Sequence, residues 1–312
     1  MNLDKFQDIL QEKKLFSPGP VPSKIEIDIS YSHRSDQFEG LYKGLKNRLR
    51  GKLNIPGEYN ILFVGGSGTC AIEAVLSSLR KMNMDFRGCG VFYERAKKIR
   101  EDYSDGSIRS RVLYYVQFET SESFYDNPRK EIVNSYYLVV ADCVSSLGFY
   151  PLPEADIIIT SSSKILGGLP SLGIILYNEN AESYINGYGD YLNLLKYIEY
   201  DKKNQTPHTA LIPQFISLYR SLDNLITPEQ IVKNCKALHT NRVIFKFETI
   251  APVLTILTRD QEQLNLFLEN FRIWNIEVYY NPAYMKNCFQ VSMFNYRDIR
   301  YYELIKTIIE EC

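Results

Sequence analysis

Three features of this sequence have residue types and spacing that could do covalent chemistry together. Lys164 follows the apolar run Ile157-Ile158-Ile159-Thr160 and three serines, and it precedes Gly167-Gly168. A primary amine so placed can condense with an aldehyde. Asp142 ends a second apolar run, 136–141, where a carboxylate can hold a ring nitrogen in its protonated form. The turn Gly65-Gly66-Ser67-Gly68-Thr69 separates the strand-like run 60–64 from a helical stretch over 70–82. Backbone N–H groups opening that helix, with the Ser67 and Thr69 hydroxyls, suit a phosphate. It is not a nucleotide P-loop, because no Gly-Lys-Ser/Thr follows the second glycine. Each feature also has an ordinary reading. A strand-to-helix turn needs glycine for positive φ whatever it binds, and a lysine at a strand end is usually just solvated.

The elements around these residues decide whether they meet. Runs 60–64, 112–118, 136–141, 156–160 and 172–177 are rich in Val, Ile and Tyr, and several lack polar alternation, as strands covered on both faces do. Helical spacing covers 36–53, with Phe38, Leu41, Leu45, Leu49 and Leu53 on one face, and recurs at 70–82, 92–103 and 211–225. Strands alternating with helices predict an α/β layer fold with a largely parallel sheet. Such sheets bind ligands at the carboxyl edge of their strands, which would bring Asp142, Lys164 and the glycine turn together. An amine, a carboxylate and a phosphate cup on one edge match the needs of pyridoxal 5′-phosphate. After Pro228 the pattern changes to α+β, with helices at 229–248, 260–273 and 298–311 and strands at 253–257 and 289–294. Residues 3–14 have the pattern of a short amphipathic helix.

Composition removes other function classes. The 36 Lys and Arg against 37 Asp and Glu leave a net charge of −1, with no concentrated basic face for nucleic acid or an acidic membrane. The six cysteines, at 70, 89, 143, 235, 288 and 312, form no C-x-x-C pair, and three histidines give no metal-ligand spacing. No apolar stretch approaches the roughly 18 residues of a membrane span. The first residues carry no apolar signal region. The expectation is a cytoplasmic protein with reduced thiols and no metal.

Eight segments, in order, resemble the class V pyridoxal-phosphate-dependent aminotransferases. They are FSPGPVPSKI near 15–25, SHRSDQF at 32–38, GGSGTCAIEAVL at 65–76, GVFYERA at 90–96, FETSES at 118–123, VVADCVSSLG at 139–148, SSSKILGGLPSLGIILY at 161–177 and TPHTALIPQFISLYRSL at 206–222. The resemblance implies a fold type I transferase with a mixed, mostly parallel seven-stranded sheet and a small C-terminal α+β domain. It divides the chain into an N-terminal arm (1–15), a large cofactor-binding domain (16–225) and a small domain (226–312). It also implies catalytic roles for Lys164, as the Schiff-base lysine, and for Asp142, as partner of the pyridine nitrogen. Ser67, Gly68 and Thr69 would hold the phosphate, Phe92 would stack on the ring, and Thr120 would lie near the 3′-oxygen. Ser163 would touch the phosphate, although the family more often has His, Gln or Asn there. Thr209 would reach the phosphate of a second subunit, which implies a homodimer with shared sites. The activity implied is amino-group transfer between an amino acid or amine and a 2-oxo acid.

One position departs from the family. The late strand usually carries an Arg that grips the substrate α-carboxylate, and here the phrase Cys288-Phe289-Gln290-Val291-Ser292 puts Gln290 in its place. A neutral amide cannot supply the charge-assisted fork. Arg34, in Ser32-His33-Arg34-Ser35, is the substitute expected from the phosphoserine aminotransferase branch of the family, which the phrase LNIPGEYNILF at 53–63 also resembles. The SPGP and GSGTCAIEA phrases look closer to the alanine–glyoxylate and 2-aminoethylphosphonate–pyruvate branches. Loss of the Arg leaves a lyase or decarboxylase on the same fold as an alternative, and a non-catalytic homologue as a third reading.

Overall fold

The computed structural model describes residues 6–10, 13–19, 21–22, 29–103, 105, 108–282 and 285–312. A short strand β1 (Lys14–Leu15) opens the chain, followed by α1 (Asp36–Leu53), β2 (Asn60–Gly65), α2 (Gly68–Ser78), β3 (Met82–Arg87), α3 (Gly90–Tyr103) and β4 (Ile108–Val116). A small hairpin, β5 (Phe118–Glu119) and β6 (Phe124–Tyr125), precedes α4 (Lys130–Val133), β7 (Leu138–Asp142), β8 (Ile157–Ser161) and β9 (Leu172–Tyr177). Helices α5 (Glu179–Glu182), α6 (Leu194–Asp201) and α7 (Ile212–Ser221) lead to the C-terminal part. That part runs α8 (Pro228–Leu238), β10 (Ile244–Phe245), β11 (Val253–Leu257), α9 (Gln261–Ile273), β12 (Ile276–Glu277), β13 (Tyr279–Tyr280), β14 (Cys288–Ser292) and α10 (Arg300–Glu311).

The central sheet has the order β2-β9-β8-β7-β4-β3. Strands β3, β4, β7 and β8 pair in parallel, and β9 runs antiparallel to both β8 and β2. Alternate residues of each strand enter two different cores. Ile61, Phe63, Tyr115, Val139 and Ile158 face α1 and α7, while Leu62, Val64, Tyr114, Val140 and Ile159 face α2 and α6. Burial on both faces explains the unbroken apolar runs. The α1–α7 side is held by an aromatic cluster in which Phe38, Tyr42 and Phe63 each lie within 5.8 Å of the Phe215 ring. Truncating Phe215 to Ala is of the class that costs about 3–5 kcal/mol. Helix α1 begins at Ser35, whose hydroxyl accepts from the Phe38 N–H, and stops at Asn54 in the left-handed region, with φ 51°.

A second, antiparallel sheet, β10-β11-β14-β13, packs with α8, α9 and α10 around a separate apolar cluster. Phe6, Ile9 and Phe16 are buried in that same cluster, and β1 pairs in parallel with β12. The N-terminal segment is therefore fastened to the C-terminal sheet.

Four expectations need correction. The sheet has six strands among the described residues, not seven. Helix α2 ends at Ser78, and 82–87 form the edge strand β3, whose alternating burial is the period of a strand. The helix foreseen over 229–248 ends at Leu238, because 244–245 pair with β11. The amphipathic helix at 3–14 is not formed in its described part, since residues 6–10 make a turn and Lys14 lies in β1, while 1–5 and 11–12 lie outside the described residues.

Candidate active site

The carboxyl edge of the sheet does assemble the chemistry. Asp142 is the last residue of β7 and pairs across to Ile159 of β8 on one side and Val116 of β4 on the other. Three residues beyond β8, Lys164 sits in the left-handed region with φ 60°, a conformation that costs a non-glycine residue about 1–2 kcal/mol. Its turn is pinned by hydrogen bonds from Ser162 N–H to Leu172 O (2.8 Å), Gly167 N–H to Lys164 O (3.0 Å) and Gly168 N–H to Ser162 O (2.8 Å). Lys164 Nζ donates to Ser145 Oγ at 2.7 Å and lies 5.1 Å from the centre of the Phe92 ring.

Asp142 is 4% exposed, and its carboxylate accepts from the Val144 N–H at 3.0 Å and from the Tyr114 hydroxyl at 3.2 Å. Burial pushes its pKa above the ordinary value, while the Val144 N–H, the Lys164 charge and the Tyr114 hydroxyl pull it down. Burial lowers the Lys164 ammonium from 10.5 to about 8. The carboxylates of Asp142 and Glu119 oppose that fall, and the Arg95 charge adds to it. A lysine near 8 has a usable neutral fraction at physiological pH, which a nucleophile or base requires.

The glycine turn presents the start of α2 to the same space. Ser67 is its N-cap residue, yet the Ser67 hydroxyl makes no capping bond, and no acidic residue stands in the first turn. The end of the helix is thus left to an external anion. Gly68 is required by packing, since a Cβ there would stand 2.8 Å from Val144 Cγ2. Ser67, Gly68, Thr69, Phe92, Asp142, Ser163 and Lys164 together line one cavity of about 190 Å³. An amine, a buried carboxylate, an aromatic face and an uncompensated helix start are the donor set a pyridoxal phosphate needs, so the residues fit that group. A larger cleft of about 1060 Å³, bordered by Arg220, Asn224 and Arg297, contains none of these groups.

A second cavity of about 310 Å³ shares Pro18 and Phe92 with the first and is bordered by Arg95, Thr120, Tyr279 and Gln290. Thr120 is therefore beside the Lys164 cavity, with Phe92 between. Gln290 is 1% exposed, and its amide nitrogen donates to the Thr120 carbonyl and, at 2.9 Å, to Thr255 Oγ1. Its donors are spent within the protein. Arg34 borders neither cavity. Its guanidinium donates to Gln205 Oε1 (2.9 Å), Thr206 O (2.8 Å) and Pro207 O (3.2 Å) and lies over the Tyr200 ring. Arg34 thus fastens the segment leading to Thr209, which is exposed and outside both cavities.

Sequence reasoning missed five residues of this site. Glu119 is buried and accepts from the Phe92 and Tyr93 N–H groups at 3.1 Å each, so it caps α3 and fixes Phe92. Gly90, with φ 90°, lets that carboxylate approach, since a Cβ would overlap the Glu119 side chain. Ser145 and Tyr114 hold Lys164 and Asp142, and Arg95 borders the second cavity. Arg95 was readable, because it stands three residues after Phe92 and so shares its helix face.

No family model matches the chain. It is 26% identical to an uncharacterized aminotransferase of Helicobacter pylori over a 312-residue alignment covering 83% of each chain. It is 24% identical to a 2-aminoethylphosphonate–pyruvate transaminase of Phocaeicola vulgatus over 229 residues, 60% of this chain and 62% of that protein. Among solved structures, it superposes on an alanine–glyoxylate aminotransferase from Nostoc sp. with a TM-score of 0.82 at 18% identity, covering 100% of this chain and 99% of the other. That likeness establishes the fold, fold type I of the pyridoxal-phosphate enzymes.

Proposed function

We infer that this chain, a relative of the class V pyridoxal-phosphate-dependent aminotransferases, transfers an amino group between an amino acid or amine and a 2-oxo acid, with Lys164 carrying the cofactor. The observation that carries the reading is Lys164 Nζ set against the Phe92 ring, 5.1 Å from its centre, in one cavity with the buried Asp142 and the open start of α2. The named relatives are aminotransferases, which argues against the lyase or decarboxylase that Gln290 leaves open. An intact lysine and aspartate argue against a non-catalytic homologue.

The geometry supports a role for each residue. The α2 N–H groups with Ser67 and Thr69 would hold the phosphate, Phe92 would cover one ring face, and Asp142 would face the ring nitrogen. Pyridoxal phosphate, when bound, supplies an electron sink for the electron pair released at the substrate α-carbon. With the cofactor bound, Lys164 Nζ would be the group that accepts the proton from the substrate α-carbon and gives it up on the cofactor side, and a pKa lowered to about 8 suits both accepting and releasing it. Tyr114 and the Val144 N–H hold the Asp142 carboxylate in place. Glu119, by capping α3, would keep Phe92 at the cofactor's ring face.

Thr209, exposed and held out by the Arg34-fastened segment, supports a homodimer in which it completes the partner's phosphate site. The six cysteines are all free, which supports a reducing compartment, the cytoplasm. Among the described residues no helix is long and apolar enough to cross a membrane. The test is direct. The purified protein should absorb in the visible, and borohydride reduction should fix the cofactor to the Lys164 peptide. A label on another lysine, or no label, overturns the assignment.

A further inference from the structure

We propose that Arg95 is the anion anchor for the substrate carboxylate, in the cavity that adjoins Lys164 across Phe92. This rests on the aminotransferase reading above and names how that site takes its substrate. Among the described residues bordering the second cavity, Arg95 is the one charged side chain. Its guanidinium carbon lies 5.1 Å from the centre of the Phe92 ring, as does Lys164 Nζ, so the two cations are both set against that ring. The two cavities share Pro18 and Phe92 as lining, and the Arg95 charge acts on Lys164, so a substrate whose amine stands at Lys164 and whose carboxylate faces the second cavity would meet Arg95 there.

The other candidates are occupied. Gln290 gives its amide hydrogens to Thr120 and Thr255 inside a buried cluster, and freeing them would leave those partners unpaired. Arg34 is spent on Gln205, Thr206 and Pro207. Arg95, by contrast, makes no ion pair among the described residues, and its one hydrogen bond, to Thr69 Oγ1, is a long 3.4 Å. A planar fork with most of its donors free is the group that takes a carboxylate bidentately. The helix under it is fixed, because Glu119 and Ser121 cap the first turn of α3.

The experiment needs no knowledge of the natural substrate. Aminooxyacetate and methoxyamine both condense with the cofactor's aldehyde carbon and free the Lys164 amine, and they differ in the carboxylate. Their rates on the cofactor-loaded protein are read from the visible spectrum and divided by their rates on free pyridoxal phosphate. The wild type should prefer aminooxyacetate. Arg95→Gln should lose that preference by about tenfold or more, the size expected of a charge-assisted pair, with the methoxyamine rate changed far less and the cofactor still bound. A preference retained in Arg95→Gln overturns the proposal. So does a weakened cofactor with the preference kept, which would assign Arg95 to the cofactor phosphate. If Arg95→Gln does not fold, Arg95→Lys decides: a reduced preference supports the guanidinium fork and an undiminished one refutes it. A wild type that takes up no pyridoxal phosphate would sink the aminotransferase reading and this proposal with it, whereas an unaltered Arg95→Gln sinks the proposal alone.

Discussion

Remove the cofactor, and Lys164 should behave as an amine with a pKa near 8. The fall from 10.5 is caused by burial and limited by the charge of Asp142. At pH 7 about one molecule in ten would then carry a neutral Nζ, against about one in 3000 for an ordinary lysine, roughly a 300-fold difference in nucleophile. Trace acylation of the cofactor-free protein across pH, read at the Lys164 peptide by mass spectrometry, should rise with a midpoint near 8. The sign for Asp142→Asn follows from the causes: the carboxylate raises the Lys164 pKa, so its loss should move the midpoint below the wild-type value. Stability carries the same linkage. The folded pKa lies below the unfolded one, so between about pH 8 and 10.5 the unfolded chain binds more protons and stability should rise with pH, by about 3 kcal/mol in all. A midpoint at 10 or above, or an upward movement in Asp142→Asn, would refute the reasoning.

Three other outcomes are expected. Asp142→Asn should keep some cofactor yet lose roughly two orders of magnitude or more in turnover, the scale for removing a preorganised electrostatic partner, and near-native turnover would make the carboxylate structural only. Gln290→Ala should lower the unfolding free energy by about 2–3 kcal/mol in denaturant titrations, because two buried hydrogen bonds and the packing around them are lost; a midpoint that does not move would show the amide ties nothing together. Mixing Lys164→Ala with Thr209→Val chains should restore activity through heterodimers carrying one site free of both lesions, and a monomer by light scattering that still binds cofactor would refute shared sites.

How much of this was legible depended on whether the signal was local. Strands β7 and β8 are continuous apolar runs, so their ends, and with them Asp142 and Lys164, could be placed from the sequence. The edge strand β3 was lost because, of its inward residues, only Met82 is fully buried while Met84 and Phe86 are partly covered, and the preceding helix pattern ran into it. The end of α8 was lost because helical spacing continues past His239, and only the pairing of Ile244 with Leu257 stops it. The partners of Arg34 were hidden for a related reason. Nothing near it in sequence reveals that residues 205–207 will take its donors. Arg95 went unnoticed although its spacing from Phe92 placed it on the same helix face.

The exchange at position 290 has a physical logic in the contacts around it. Gln290, on β14, bonds the Thr120 carbonyl and Thr255 on β11, while Ser123 bonds Thr255 from the other side. Residues 119–123 are also the segment that caps α3 through Glu119. The C-terminal sheet is thereby tied to the loop that fixes Phe92 and Arg95. A guanidinium at 290 would be buried in this polar cluster, bordering the same cavity as Arg95, and two cations sharing one desolvated space repel. With Arg95 carrying the charge on α3, the late strand can hold a neutral amide that fastens the two parts of the molecule, and the carboxylate anchor then moves with the helix that carries the ring-stacking Phe92.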